Sequence, residues 1–185
     1  MSRVARTGVT LILVLSICYV GCNSSKRAAK SRATEELQQK YSAVTDMNIV
    51  VSAGVTKLEY SGRLTDALLK FGNDDGDCSS AVAQLPAKEE QATAADVCQD
   101  LGKAMEAYTD AKDYFGPTPD PDDTEILTET LTQQEYDRVK EQFPNLDELP
   151  VAETNPAGYR FYARSGMLQA LWKVARQESD LAKND

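Results

Sequence analysis

Apolar residues in this chain recur three or four positions apart over most of its length, and that spacing constrains its fold more than any other feature. Leu37, Tyr41, Val44, Met47 and Val51 mark one helical face from about residue 34 to 53. Gly54 interrupts. Thr56 and Glu59 then have the spacing of a capping box, in which each side chain satisfies the other's free amide. The second helix so begun carries Tyr60, Leu64, Leu68 and Phe71 on one face and stops at Gly72. A third is predicted from about Thr93, through Val97, Leu101, Met105, Tyr108 and Phe115, with Lys112 as a polar intruder. Pro117, Pro119 and Pro121 must end it, because proline removes the amide a helix needs. A second capping box, Thr132 with Glu135, opens a short helix through Tyr136, Val139 and Phe143. Asn155-Pro156 reads as an N-cap and first helical residue, opening a last helix through Tyr159, Tyr162, Leu168, Leu171, Trp172 and Ala175. No segment sustains period-two alternation. The predicted fold is therefore all-α: a helix bundle of four main helices with a short additional helix.

Length and charge narrow the function. One domain fits 185 residues, and 42% hydrophobic with 26% charged residues is an ordinary globular balance. Twenty basic against 29 acidic side chains, a net charge of -9, argue against nucleic acid as a partner, since phosphate neutralisation needs clustered Lys and Arg. The chain has no histidine, which removes imidazole nucleophile relays, histidine general bases and His-ligated zinc or haem. It contains no phosphate-binding, dinucleotide or serine-nucleophile motif, and no two carboxylates share an apolar frame that would split their pKa values. The sequence reads as a protein that is not an enzyme and needs no cofactor.

Arg3 and Arg6 precede an apolar run from Val9 to Val20. Twelve helical residues span roughly 18 Å, short of the roughly 30 Å hydrocarbon core, so the run reads as the apolar region of a secretory signal. It ends in Tyr19-Val20-Gly21-Cys22, which resembles the lipobox of bacterial lipoproteins, with Tyr19 where an aliphatic residue is usual. That resemblance implies removal of residues 1–21 and acylation of Cys22, placing the chain on the exported side of the cell envelope, at a bacterial outer membrane facing the periplasm. Residues 22–33 have no apolar periodicity and carry Lys26, Arg27, Lys30 and Arg32. They read as a lipid-anchored flexible tether, or one lying on anionic headgroups, and residues 34–185 as the helical domain.

Two cysteines, Cys78 and Cys98, remain beyond the signal region. In an oxidising compartment they are expected to form one disulfide, closing a loop of 20 residues for roughly 3 kcal/mol. Asn73, Asp75 and Asp77 alternate oxygen ligands like the opening of a calcium loop. Cys78 stands where glycine is needed and Gln84 where a bidentate glutamate is needed, so a solvated turn is the simpler reading. Tyr159, Arg160 and Arg164 lie in the densest aromatic and basic stretch and form the candidate interface. On a helix the tyrosines Tyr159 and Tyr162 face the core while the two arginines face solvent. These features together suggest an exported, lipid-anchored adaptor that binds another envelope protein. The alternative is a small-molecule or cation-binding helical bundle.

Overall fold

The structure, a computed structural model, describes residues 5–72, 82–115 and 130–184, with side chains over residues 24–183 of those segments. It is mostly helical. In chain order the elements are α1 (Ala5–Ala53), α2 (Lys57–Phe71), α3 (Lys88–Ala111) with a single 3-10 turn (Lys112–Tyr114), β1 (Thr130–Thr132), α4 (Gln133–Gln142), β2 (Val151–Thr154), β3 (Arg160–Ala163) and α5 (Arg164–Asn184).

The helix boundaries follow from local chemistry. α1 stops where Gly54 takes φ 76°, a left-handed conformation that costs glycine nothing. α2 opens on the capping box: Thr56 Oγ1 accepts from the Glu59 amide, and the Glu59 carboxylate accepts from the Thr56 amide at 3.1 Å. Thr132 and Glu135 repeat the arrangement at α4, with the return hydrogen bond at 2.8 Å. α3 begins at Lys88, earlier than the apolar pattern suggests. Glu89 and Glu90 fill its first turn, where carboxylates favour the positive end of the helix dipole.

The helices pack through one large cluster. Ala43, Val44 and Met47 of α1, Tyr60 and Leu64 of α2, Leu101, Ala104 and Tyr108 of α3, and Met167, Leu171 and Val174 of α5 all lie within it. The rings of Tyr60, Phe115 and Trp172 meet with centroids 4.7 to 5.8 Å apart. A polar thread runs through this core. Trp172 Nε1 donates to Tyr60 Oη at 3.3 Å, and Tyr60 in turn donates to the Tyr108 carbonyl at 2.6 Å. The Tyr108 hydroxyl donates to Asn48 Oδ1 at 2.5 Å, and Asn48 Nδ2 to Ser179 Oγ at 3.3 Å. Burial pushes both tyrosine hydroxyls well above the ordinary phenol range, so they remain donors at any pH the protein meets. A smaller cluster of Ala33, Val82, Leu85, Ala94 and Cys98, with Leu37 against it, joins the early part of α1 to the start of α3.

Three expectations need correction. The chain is not all-α: β1, β3 and β2 form an antiparallel sheet in that order, with Leu131 opposite Tyr162 and Thr154 opposite Arg160. Strands of three and four residues are too short for period-two alternation to register in the sequence. Asn155-Pro156 is not a helix start but the turn between β2 and β3. Asn155 Oδ1 accepts from the Ala157 and Tyr159 amides, both at 3.0 Å, which is the hydrogen bonding an N-cap makes; Gly158 at φ 83° then turns the chain back. Residues 22–33, expected to be a flexible tether, are helical and continuous with the packed part of α1. Alanine, lysine and arginine are strong helix formers, and extending a helix already held by tertiary contacts needs no new nucleus.

The directions of the helices follow from their cross-links. Lys30 pairs with Glu90 at 2.8 Å and Asn48 with Tyr108, a constant offset of 60 positions, so α1 and α3 run parallel. α2 folds back antiparallel to α1: Lys70 reaches Ser42 and Asp46, and Lys40 donates to the Phe71 carbonyl at 2.9 Å. α5 runs opposite to α3, with Arg164 at the Asp113 carbonyl and Glu178 beside Lys103. The sheet, just before α5, therefore sits past the C-terminal end of α3, at the opposite end of the body from residues 24–33.

Candidate interaction surface

The β2–β3 hairpin is built around a fixed turn. Besides the two bonds to the Asn155 side chain, the Asn155 amide donates to the Tyr159 carbonyl at 3.0 Å and the Gly158 amide to the Asn155 carbonyl at 2.9 Å. A bulge between Val151 and Glu153 twists β2 against β3. The inner face is tied down by Tyr162. Its ring stacks on Tyr136 of α4, with centroids 4.3 Å apart and planes 15° from parallel, and its hydroxyl donates to Gln133 Oε1 at 2.6 Å. Phe161 and Ala163 on either side of it are half-buried, and Arg160 at the start of the strand is exposed.

The exposed residues of the hairpin are what a partner would meet. Tyr159 is 67% exposed and Val151 42% exposed, and Arg160, Glu153 and Thr154 are exposed beside them. Every residue of β2 is exposed. Arg164 is held inward: Nη2 donates to the Asp113 carbonyl at 3.1 Å, and the guanidinium lies over the Tyr114 ring at 5.8 Å. Of the three predicted interface residues, Tyr159 and Arg160 are displayed and Arg164 braces the sheet against the end of α3. The helical reading had put Tyr159 inward; it is instead an exposed residue of the turn just before β3, while Tyr162 on β3 is buried. Val151 went unnoticed in the sequence. The signal for it was the turn composition Asn155-Pro156-Ala157-Gly158, flanked by a short run on either side.

The seam between α3 and α4 collects charge. Burial raises the Asp110 carboxyl, and nearby Glu106 and Asp113 raise it further, against the hydrogen bond from Gln142 and the pull of Arg138. The Thr132 amide and hydroxyl hold Glu135 below the usual carboxylate range, helped by Arg164 and Arg138. A surface hollow of about 390 Å³ runs along α4, lined by Gln134, Glu135, Asp137, Arg138 and Glu141. These are charged and amide groups from a single helix, unlike the apolar walls from several elements that enclose a small ligand. Glu178 on α5 is buried. Its Oε1 accepts from Asn145 Nδ2 at 2.8 Å, and Oε2 lies 3.9 Å from the Lys103 ammonium.

The remaining predicted positions are placed as follows. Asn73, Asp75, Asp77 and Cys78 lie outside the described residues. Cys98 is buried in the smaller cluster and is not a free thiol. Cys22 falls within the span of α1, and its side chain is not among those described. Among the described residues there is no group of three or more carboxylate or thiol side chains arranged to hold a metal, and no helix long and apolar enough to cross a membrane. The chain matches no protein family, no curated protein and no solved structure.

Proposed function

We propose that the chain is a lipid-anchored binding module of the bacterial envelope, acylated at Cys22, facing the periplasm from the outer membrane and acting by protein–protein interaction through the β2–β3 hairpin. The observation that carries this reading is the position of the hairpin. Tyr159, Val151 and Arg160 project at one end of the body, and the N-terminal segment with its lipobox-like sequence leaves from the other. A surface meant for a soluble or envelope partner belongs at the end farthest from the bilayer. Tyrosine and arginine suit the role, because they combine a large contact area with polar recognition. The helices form one bundle, with α1, α2, α3 and α5 as its main members. Cys98 pairs with Cys78, in keeping with its being neither free nor exposed.

The test is site-specific photocrosslinking in cells. A photoreactive residue at position 159 is expected to give one discrete adduct, and the same residue at Leu69, equally exposed on α2, none. Tyr159→Ala is expected to weaken the captured complex by about tenfold, as for a central interface aromatic. Cys22→Ala should move the protein out of the membrane fraction. Equal labelling from 159 and 69 would remove the hairpin as the interface; unchanged fractionation of Cys22→Ala would remove the anchor. If anchoring holds with no adduct, a calcium-dependent rise in melting temperature would favour the cation-binding alternative.

A further inference from the structure

Residues 24–32 belong to α1 but not to its buried clusters. Ser24 to Arg32 are exposed apart from half-buried Ala29, and among the described side chains Ala33 is the first that is buried. This exposed stretch holds four basic residues and no acidic one, whereas the chain from Thr34 onward carries 14 basic and 29 acidic residues, a net of -15. Lys30 is paired with Glu90 yet keeps 64% of its side chain exposed. Lys26, Arg27 and Arg32 make no ion pair among the described residues.

We propose that these residues form a basic collar that binds anionic lipid headgroups around the base of an upright helical stalk. The proposal rests on the reading that the N-terminal segment holds the chain at a bilayer. Two geometric facts carry it. At 100° per residue, Lys26, Arg27 and Lys30 fall within about 100° of one another, while Arg32 lies on the other side of the helix. A stripe would serve a helix lying flat; a ring engages headgroups from all sides only when the axis stands up. The helix also lacks an apolar face, since Ser24, Ser25, Ala28, Ala29 and Ser31 fill the other positions, and without one it has no reason to lie in the interface.

The second fact is height. With a rise of about 1.5 Å per residue, Lys26 stands about 6 Å and Arg32 about 15 Å above Cys22. The headgroup layer is about 5–8 Å deep and the Debye length at physiological salt about 8 Å. All four basic residues therefore fall within reach of the surface charge. Glu35, the first acid in the chain, starts about 20 Å up, where the potential is largely screened. Glu89 and Glu90 at the start of α3 stand level with Lys30, and the Lys30–Glu90 pair offsets one of these charges; the acids of α1 itself lie beyond that range.

The experiment uses the full chain as purified from membranes, reconstituted into vesicles of phosphatidylcholine and phosphatidylglycerol, with a spin-labelled trace of either lipid reporting what surrounds the protein. The wild type is expected to select phosphatidylglycerol by about fivefold or more, since each engaged basic residue is worth about that factor. The triple variant Lys26→Gln/Arg27→Gln/Arg32→Gln should show a ratio near one, as should the wild type in high salt. A triple variant with Lys26→Arg, Arg27→Lys and Arg32→Lys should restore selectivity. Arg32→Gln alone should lower it, because Arg32 reaches headgroups only on an upright stalk; no change in that variant would overturn the collar in favour of a flat stripe. Equal selectivity in wild type and triple Gln variant would overturn the proposal outright. The mass of the N-terminal peptide reports acylation separately. An acylated chain without selectivity thus refutes the collar and leaves the anchor, and an unacylated chain with selectivity does the reverse.

Discussion

The helical body and the distal sheet are held together by different means, and the contrast explains how a small chain can display a binding surface without weakening itself. In the body, side chains far apart in sequence meet: Trp172 touches Tyr60 and Phe115, and Asn48 bridges Tyr108 and Ser179. The sheet adds its own turn and the hydrogen bonds of three short strands, and meets the body's apolar cluster through Leu131, Tyr162 and Tyr136 alone among the residues of β1, α4's first turn and β3. Loss of a body contact removes support from several helices together. Loss of a hairpin contact is felt where it occurs.

The largest effect expected is at the centre of the body. Trp172→Ala removes the ring that joins α5 to α2 and to the end of α3, and leaves Tyr60 without its indole donor. It should cost about 3–5 kcal/mol, read as a fall in the urea midpoint with helical and aromatic signals lost together. A loss under about 1 kcal/mol would break the comparison, since the body would then not depend on its longest-range contacts.

The same contrast decides how much the sequence revealed. The α2 boundaries, the break at Gly54 and both capping boxes were legible, because a cap is made by residues three apart and needs nothing from the rest of the fold. The core face of α3 was legible too: Leu101, Met105 and Tyr108 are all buried. The sheet was not. Arg160–Ala163 pairs with residues up to 33 positions away, and its tyrosine spacing matches a helix as well as a strand. The helical state of residues 22–33 was hidden for another reason. No apolar face announces it, and it follows from the packing of residues further along α1. Tyr159 and Arg160 could be named as candidate interface residues, but their exposure depends on the β2–β3 hairpin, which forms only once β3 pairs.

A matched pair of glycines sharpens the comparison. Gly54, at the α1–α2 corner, has φ 76°, and Gly158, in the hairpin turn, has φ 83°; a Cβ added at either meets nothing within 4 Å. Alanine at each position therefore carries the same local penalty of about 1–2 kcal/mol, from backbone alone. The readouts should differ. Gly54→Ala should lower the global unfolding free energy by that amount and speed amide exchange throughout α1 and α2. Gly158→Ala should speed exchange in β2 and β3 while leaving the slowest amides of α3 and α5 unchanged. Identical exchange patterns would mean that sheet and body unfold as one unit.

The smallest effect is expected at the seam, where α3 meets α4, and it depends on pH. The folded-state pKa of Asp110 is raised by burial and by Glu106 and Asp113, so the folded protein holds this proton more tightly than the unfolded chain does. Its ionised form is a penalty that is absent below the unfolded value and grows as pH rises through the folded one. Glu135 has the opposite sign. Its lowered pKa contributes stability above the unfolded carboxylate range, and that contribution disappears as pH falls through the folded value. Asp110→Asn should therefore raise the melting temperature by about 1–2 °C at pH 7 and by less as the solution is acidified, while Glu135→Gln lowers it at pH 7 and by less as the pH falls through the carboxylate range. Because Asp110 belongs to the body and Glu135 caps the helix that carries Tyr136, exchange measured on the two variants assigns the seam. If Glu135→Gln loosens only β1, α4 and β3, the boundary between the two regions falls between α3 and α4; if it loosens α3 as well, α4 belongs to the body.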